Sequence, residues 1–287
     1  METIPPAADE FPVALAQIAT RPGQPRHNLR RHLEAISQAQ SAGARLVVFP
    51  ELSLSGYLLS HGVAEAAMTL GDPLLAPLRE ASRDLAILVG LPLRETGGGI
   101  SNAAVLLEGG QVCGIHRKLY LPTYGMFDEG RFFVAGRRLE PLACSLGTFG
   151  VLICEDAWHL SSSVFLSHPP VDALIVVAGG PSEIEDSPVP AGARRWHWLV
   201  GAMAITSVTP VYFANRCGWE EGVMFGGGSW AVDARGSSLV EAAPACRETV
   251  LVAPFSRPAV AWARTLVPVP RMERFELWRA ALENAGA

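Results

Sequence analysis

The sequence predicts an α/β fold built on a mixed sheet or a pair of sheets. Three observations carry that prediction. Short apolar runs recur along the chain, as in Leu46-Val47-Val48-Phe49 and Leu85-Ala86-Ile87-Leu88-Val89, and strands covered on both faces read this way. Segments with helical spacing of apolar residues alternate with the early runs. Two turn signals, Glu108-Gly109-Gly110-Gln111 and Asp233-Ala234-Arg235-Gly236, each sit between β-like runs. They mark hairpins, which a purely parallel sheet would lack.

Residues 13–18 form the first clear strand. Residues 28–42 follow as a helix, with Leu29, Leu33 and Ile36 on one face and Gly43 as its stop. A strand over 45–49 ends at Pro50-Glu51. Residues 73–83 read as helix and 85–89 as a buried strand. Residues 103–107 and 112–117 pair as a hairpin. Strands over 149–154 and 173–177, a helix over 194–207 and a strand over 211–215 come next. Residues 229–232 and 238–241 form the second hairpin, 249–252 a late strand and 271–285 a terminal helix.

With 287 residues, 49% hydrophobic and 18% charged, the chain can bury a sizeable core. It shows no composition break or linker, so one domain over residues 1–287 is expected. The net charge of −5 is small and mixed along the sequence, which argues against a nucleic-acid groove or a polybasic membrane patch. No apolar run reaches the roughly 18 residues of a membrane span, and the first residues lack a secretory pattern. A cytoplasmic protein without membrane or nucleic-acid partners is expected.

The five cysteines, Cys113, Cys144, Cys154, Cys217 and Cys246, are odd in number, irregularly spaced and free of any CxxC pair. Neither a disulfide framework nor a thiolate zinc site fits, and the seven histidines show no ligand spacing, so no metal site is expected. All but Cys154 are read as structural thiols. Phosphate-loop, dinucleotide and GxSxG signatures are absent.

What remains is three segments in which a buried strand ends on an ionisable residue. Phe49-Pro50-Glu51 places a carboxylate at the edge of the core, where partial burial would make it a usable base. His116-Arg117-Lys118 offers a fixed cation for a developing oxyanion. Ile153-Cys154-Glu155-Asp156 offers a thiol that needs a base or cation nearby to become reactive. Taken singly, each reads first as a solvated loop glutamate, a basic strand edge or a small core thiol. Together they make a site only if the fold joins the three strand ends.

Phe49-Pro50-Glu51-Leu52, His116-Arg117-Lys118-Leu119-Tyr120-Leu121-Pro122 and Ile153-Cys154-Glu155-Asp156 resemble, in that order, the glutamate, lysine and cysteine motifs of the nitrilase superfamily. The stretch from Arg117 to Glu129, Cys154-Glu155-Asp156-Ala157-Trp158 and Phe225-Gly226-Gly227-Gly228-Ser229 resemble the glutamine amidotransferase domain of NAD synthetase within it. The resemblance implies a four-layer α-β-β-α sandwich that pairs into homodimers or larger homo-oligomers. It implies an amidase that uses no cofactor and cleaves a small carboxamide to acid and ammonia. An N-carbamoyl amine hydrolase, a nitrilase and a glutaminase-like subunit feeding a synthetase partner are the alternatives, and Glu155-Asp156 after the cysteine favours amide over nitrile.

By the same resemblance Cys154 is the nucleophile, Glu51 its base, and Lys118 with the Glu155 backbone N–H the oxyanion donors. Glu129 is a supporting glutamate. Tyr124, Phe127, Trp158, Gly180 and Ser182 line the substrate pocket, with Tyr57 a weaker candidate. Two departures stand out. An ATP-using synthetase domain is not expected within 287 residues. Ala178-Gly179-Gly180-Pro181 stands where that branch commonly has Asn-Ala-Ser-Pro, which argues against free glutamine unless Ser182 supplies the missing contact.

Overall fold

The computed structural model describes residues 9–182, 191–242 and 247–285. Two six-stranded sheets stack face to face. The first contains β1 (Glu10–Gln17), β2 (Leu46–Val48), β3 (Ala86–Arg94), β4 (Ile100–Glu108), β5 (Gln111–Arg117) and β14 (Thr249–Ser256), in the order β14-β1-β2-β3-β4-β5. The second contains β6 (Leu142–Cys144), β7 (Gly147–Ile153), β8 (Ala173–Ala178), β9 (Val211–Asn215), β12 (Trp230–Val232) and β13 (Ser238–Glu241), in the order β13-β12-β9-β8-β7-β6. A separate hairpin joins β10 (Cys217–Glu220) to β11 (Val223–Gly226). The helices are α1 (Pro25–Ser41), α2 (Val63–Ala66), α3 (Ala76–Ala81), α4 (Glu129–Phe132), α5 (Leu160–Leu166), α6 (Ala191–Ser207), α7 (Arg257–Leu266), α8 (Val269–Met272) and α9 (Phe275–Ala285).

Side-chain alternation divides each strand of the first sheet between two cores. Val13, Leu15, Leu46, Val48 and Leu88 share a core with the second sheet. Ala14, Ala16, Val47, Ile87 and Val89 pack with Leu29 and Ile36 of α1 and Leu78 of α3. Trp196, Val200 and Met203 of α6 and Leu166 of α5 cover the second sheet. Helix, sheet, sheet, helix is therefore the layer order, and burial on both faces explains the unbroken apolar runs.

Strand direction sets where the site lies. β1, β2 and β3 pair in parallel, and two antiparallel pairings then turn β5 the same way as β3. The segments after β2 and β5 thus emerge at one edge. β7, β8 and β9 are likewise parallel, so Cys154, Gly179 and Arg216 share an edge of the second sheet.

Several boundaries differ from the sequence reading. β3 runs on through Gly90 and Pro92, and β14 on to Ser256. Residues 73–83 divide into a 3-10 turn, Pro73–Leu75, and α3. The terminal helix is two helices, because Glu273 adopts an extended conformation between α8 and α9. The sequence reading passed over α7, although Ser256 caps it by accepting from the Ala259 N–H. Cys113 is exposed rather than a core thiol, and Cys246 lies outside the described residues. No helix among the described residues is long and apolar enough to cross a membrane, and no group of three or more His, Cys, Asp or Glu there could hold a metal ion.

Candidate active site

Glu51 stands on an elbow that crosses the end of β3. A Cβ on Gly90 would lie 2.6 Å from the Leu52 nitrogen and collide with the Pro50 carbonyl, so only glycine lets the elbow pass. Leu52 completes the turn at a φ of 48°. The Glu51 carboxylate is wholly buried. Its Oε1 accepts hydrogen bonds from Lys118 Nζ at 2.7 Å and Asn102 Nδ2 at 2.8 Å, and its Oε2 accepts from the Gly179 N–H at 2.8 Å.

Lys118 follows β5 and is also fully buried. Its Nζ donates a second bond, 2.6 Å, to Glu129 Oε1, which also accepts from the Tyr57 hydroxyl. Burial alone would lower the lysine pKa, but the facing carboxylates, Glu51 first and Glu129 with it, outweigh it and hold the ammonium charged. Glu129 moves the other way. Burial and the adjacent Glu51 raise it to about 7 against the pull of Lys118.

Cys154 begins a 3-10 turn, Cys154–Trp158, directly after β7. Its φ of 46° lies in the left-handed region, where a non-glycine residue stores on the order of 1–3 kcal/mol and which recurs at functional sites. The residue is 7% exposed. Burial raises its thiol pKa well above the usual range, Glu51 raises it further, and Lys118 opposes them. The resting group is therefore a thiol, and attack requires a base.

A cavity of about 230 Å³ touches the network through Tyr57, Phe127 and Glu129, and one of about 420 Å³ that shares Phe127 with it is lined by Tyr124, Met126, Ser182, Trp219 and Met224 among others. Tyr124 is 58% exposed and its hydroxyl donates to Glu155 Oε2 at 2.8 Å. Phe127 contacts Tyr124 and Tyr57 edge-on. Trp158, 44% exposed, packs edge-on against Trp196. A roomier cleft of about 750 Å³ lies among Glu95, Arg117, Arg137 and Arg138; none of the three cavities is lined by Glu51, Lys118 or Cys154, so volume alone does not locate the site.

Gly180 donates its N–H to Asn215 Oδ1 at 3.0 Å, and a Cβ there would lie 2.6 Å from Trp196 Nε1. The indole occupies the space a serine side chain would need. Ser182 is turned toward Gly226, where any Cβ would collide with its hydroxyl, and its N–H donates to the Met224 carbonyl at 2.8 Å.

Some of this network escaped the sequence reading. Asn102 and the Gly179 N–H hold Glu51, and a buried polar Ser101-Asn102 pair ahead of an apolar run was the available signal. Arg216, fully buried, lies behind Glu51: its Cδ and Glu51 Oε2 each lie 3.3 Å from the position a Gly179 Cβ would take. It pairs with Glu220 at 2.9 Å, and Glu220 Oε2 accepts from the Tyr57 and Leu58 N–H groups. His116, read as an ordinary strand-end residue, is buried against Asp156.

Two stacked sheets between helices are the layer order that the motifs implied, with a thiol, carboxylates and an ammonium following strand ends. Residues 12–265 match the Carbon-nitrogen hydrolase family, and the chain belongs to it. Among curated relatives, it is 28% identical over 296 residues to the glutamine-dependent NAD(+) synthetase of Synechocystis sp., covering 96% of this chain and 52% of the relative. It is 31% identical to that of Rhodobacter capsulatus, covering 88% and 45%. The chain thus spans about half the length of the curated relatives it matches.

Among solved structures it resembles the ADP complex of the Acinetobacter baumannii glutamine-dependent NAD+ synthetase, with a TM-score of 0.76, 28% identity, and coverage of 88% of this chain and 46% of that one. It also resembles a mutant amidase of Nesterenkonia sp. AN1, with a TM-score of 0.77, 26% identity, and coverage of 94% and 96%. In that structure the acetamide moiety of fluoroacetamide is covalently added at the active-site cysteine.

Proposed function

We propose that the protein is an amidase that hydrolyses a small carboxamide to its acid and ammonia through a thioester on Cys154. The observation that carries this reading is the buried Glu51, Lys118 and Glu129 network at the strand ends, whose charges all act on the Cys154 thiol. Glu51 takes the thiol proton as sulfur attacks the carbonyl carbon. Lys118 and the Glu155 N–H stabilise the oxyanion, and one such donor is typically worth roughly 100- to 1000-fold in rate. The intermediate collapses, the C–N bond breaks, and Glu51 passes its proton to the departing amine. Water, deprotonated by Glu51, then attacks the thioester, and its proton returns to the Cys154 sulfur.

Glu129 holds Lys118 from the other side, with Tyr57 fixing the same carboxylate oxygen. Tyr124, Phe127, Trp158, Gly180 and Ser182 shape the acyl pocket. The exposed Trp198, Leu277 and Leu282 are apolar surface that a homo-oligomer would cover.

A second reading, a glutaminase-like unit that supplies ammonia to a synthetase, draws on the similarity to NAD(+) synthetases. The indole against Gly180 argues against it, since it takes the place of a polar side chain. The deciding experiment is ammonia release from an amide panel that includes glutamine, with and without a synthetase partner. Carbon dioxide released with ammonia from an N-carbamoyl amine, or turnover of a nitrile, would replace the amide reading.

A further inference from the structure

The proposed chemistry requires the Cys154 sulfur to face the carbon and the Lys118 ammonium the oxygen of one substrate carbonyl, yet they come from different sheets. Lys118 follows β5 of the first sheet and Cys154 follows β7 of the second. One side chain joins the two. The Asp156 carboxylate is fully buried. Its Oδ1 accepts from the N–H groups of Leu119 at 2.8 Å and Tyr120 at 3.0 Å, the two residues after Lys118. Its Oδ2 accepts from the Ile153 N–H at 3.0 Å, the residue before Cys154, and contacts His116 Nε2 at 2.9 Å, two residues before Lys118.

We propose that Asp156 is a positioning residue for the amidase reaction read above, fixing the lysine strand end against the cysteine elbow. Each of these four partners lies within two residues of Lys118 or directly before Cys154. The bond back to the Ile153 N–H also closes the turn in which Cys154 holds its positive φ. An ionised carboxylate is the side chain that can accept from this many donors, because both of its oxygens are acceptors only. Asparagine at this position would turn an NH2 group toward one pair of donors and lose it.

The test needs no substrate. Iodoacetamide alkylates the thiolate, forming a carbon–sulfur bond as iodide leaves, and peptide mass spectrometry reads the rate at Cys154. The groups acting on that thiol are Glu51, Lys118, Glu129 and Glu155, and the cation among them is Lys118. If Asp156 holds Lys118 in place, Asp156→Asn loses thiolate: Cys154 alkylation near pH 8 slows about tenfold and its pH midpoint rises by about one unit. The exposed Cys113 serves as the internal control and should be unchanged. A side chain that merely supports the fold would give the opposite result, because loosening exposes Cys154 and speeds alkylation. An unchanged or faster rate in folded Asp156→Asn overturns the proposal. Should that variant not fold, His116→Ala removes a single contact and decides the matter by the same signs. Failure of the amide panel would count against the amidase reading but leave this result readable.

Discussion

Lys118 Nζ stands 2.7 Å from Glu51 Oε1, and neither side chain has any exposed surface. A second carboxylate, Glu129, meets the same ammonium at 2.6 Å. One buried cation therefore balances two carboxylates and faces a thiol. Removing it leaves uncompensated charge in the interior, which typically costs about 3–5 kcal/mol. Lys118→Met should lower both the unfolding free energy by that amount and kcat by at least about 100-fold. Denaturant titration and steady-state rates check the two halves separately. A variant with full stability and full activity would remove Lys118 from the account.

Glu129 gives a pH signature. Its pKa in the fold is about 7, raised from 4.5 by burial and Glu51. Between those values the folded state keeps a proton that the unfolded chain has released, so stability falls as pH rises from about 4.5 to 7 and flattens above. The slope from this one group is at most about 1.4 kcal/mol per pH unit. Glu129→Gln cannot titrate, so the difference between wild type and variant should show this decline. Parallel stability curves from pH 4.5 to 7 would contradict it.

Gly90 tests how tightly the Glu51 elbow is set. Gly90→Ala drives a methyl into the Leu52 nitrogen and the Pro50 carbonyl, both backbone atoms that cannot swing aside. A loss of about 1–3 kcal/mol is expected, with kcat falling more steeply than the melting temperature because Glu51 itself is displaced.

Gly180 and Trp196 should be coupled. Gly180→Ser should destabilise the protein by about 1–3 kcal/mol, since its Cβ meets the indole nitrogen. In a Trp196→Ala background, itself destabilised by the cavity it leaves, the added serine should cost markedly less. A double-mutant cycle reads this coupling. Additive effects would show that the indole does not exclude a side chain at 180. If the double variant also gains glutamine turnover, the pocket contrast drawn above has its cause.

The candidate residues were legible because each sits at the end of a buried strand, and such ends are readable from periodicity. Glu51, Lys118 and Cys154 were named from that pattern and from their motifs, and the mixed two-sheet fold from the apolar runs and hairpin signals. The contacts that hold them were not. Asn102 reaches Glu51 over 51 positions in sequence and the Gly179 N–H over 128, and no local pattern encodes such pairings. The break at Glu273 was hidden for a different reason. No proline or glycine marks it, and helical spacing continues across it, while Trp278 Nε1 binds back to the Glu273 carboxylate. Gly180 was singled out from its motif, but the occupant of the space beside it, Trp196, comes from a helix in another layer.

The central claim is that Cys154 carries out amide hydrolysis. Ammonia release from a panel of small carboxamides, measured side by side for wild type and Cys154→Ala, tests it most directly. Wild type should release ammonia from at least one amide and the variant none above background, with a thioester-mass adduct on Cys154 trapped by rapid acid quench. Equal release from both proteins would contradict it, whatever the preferred amide.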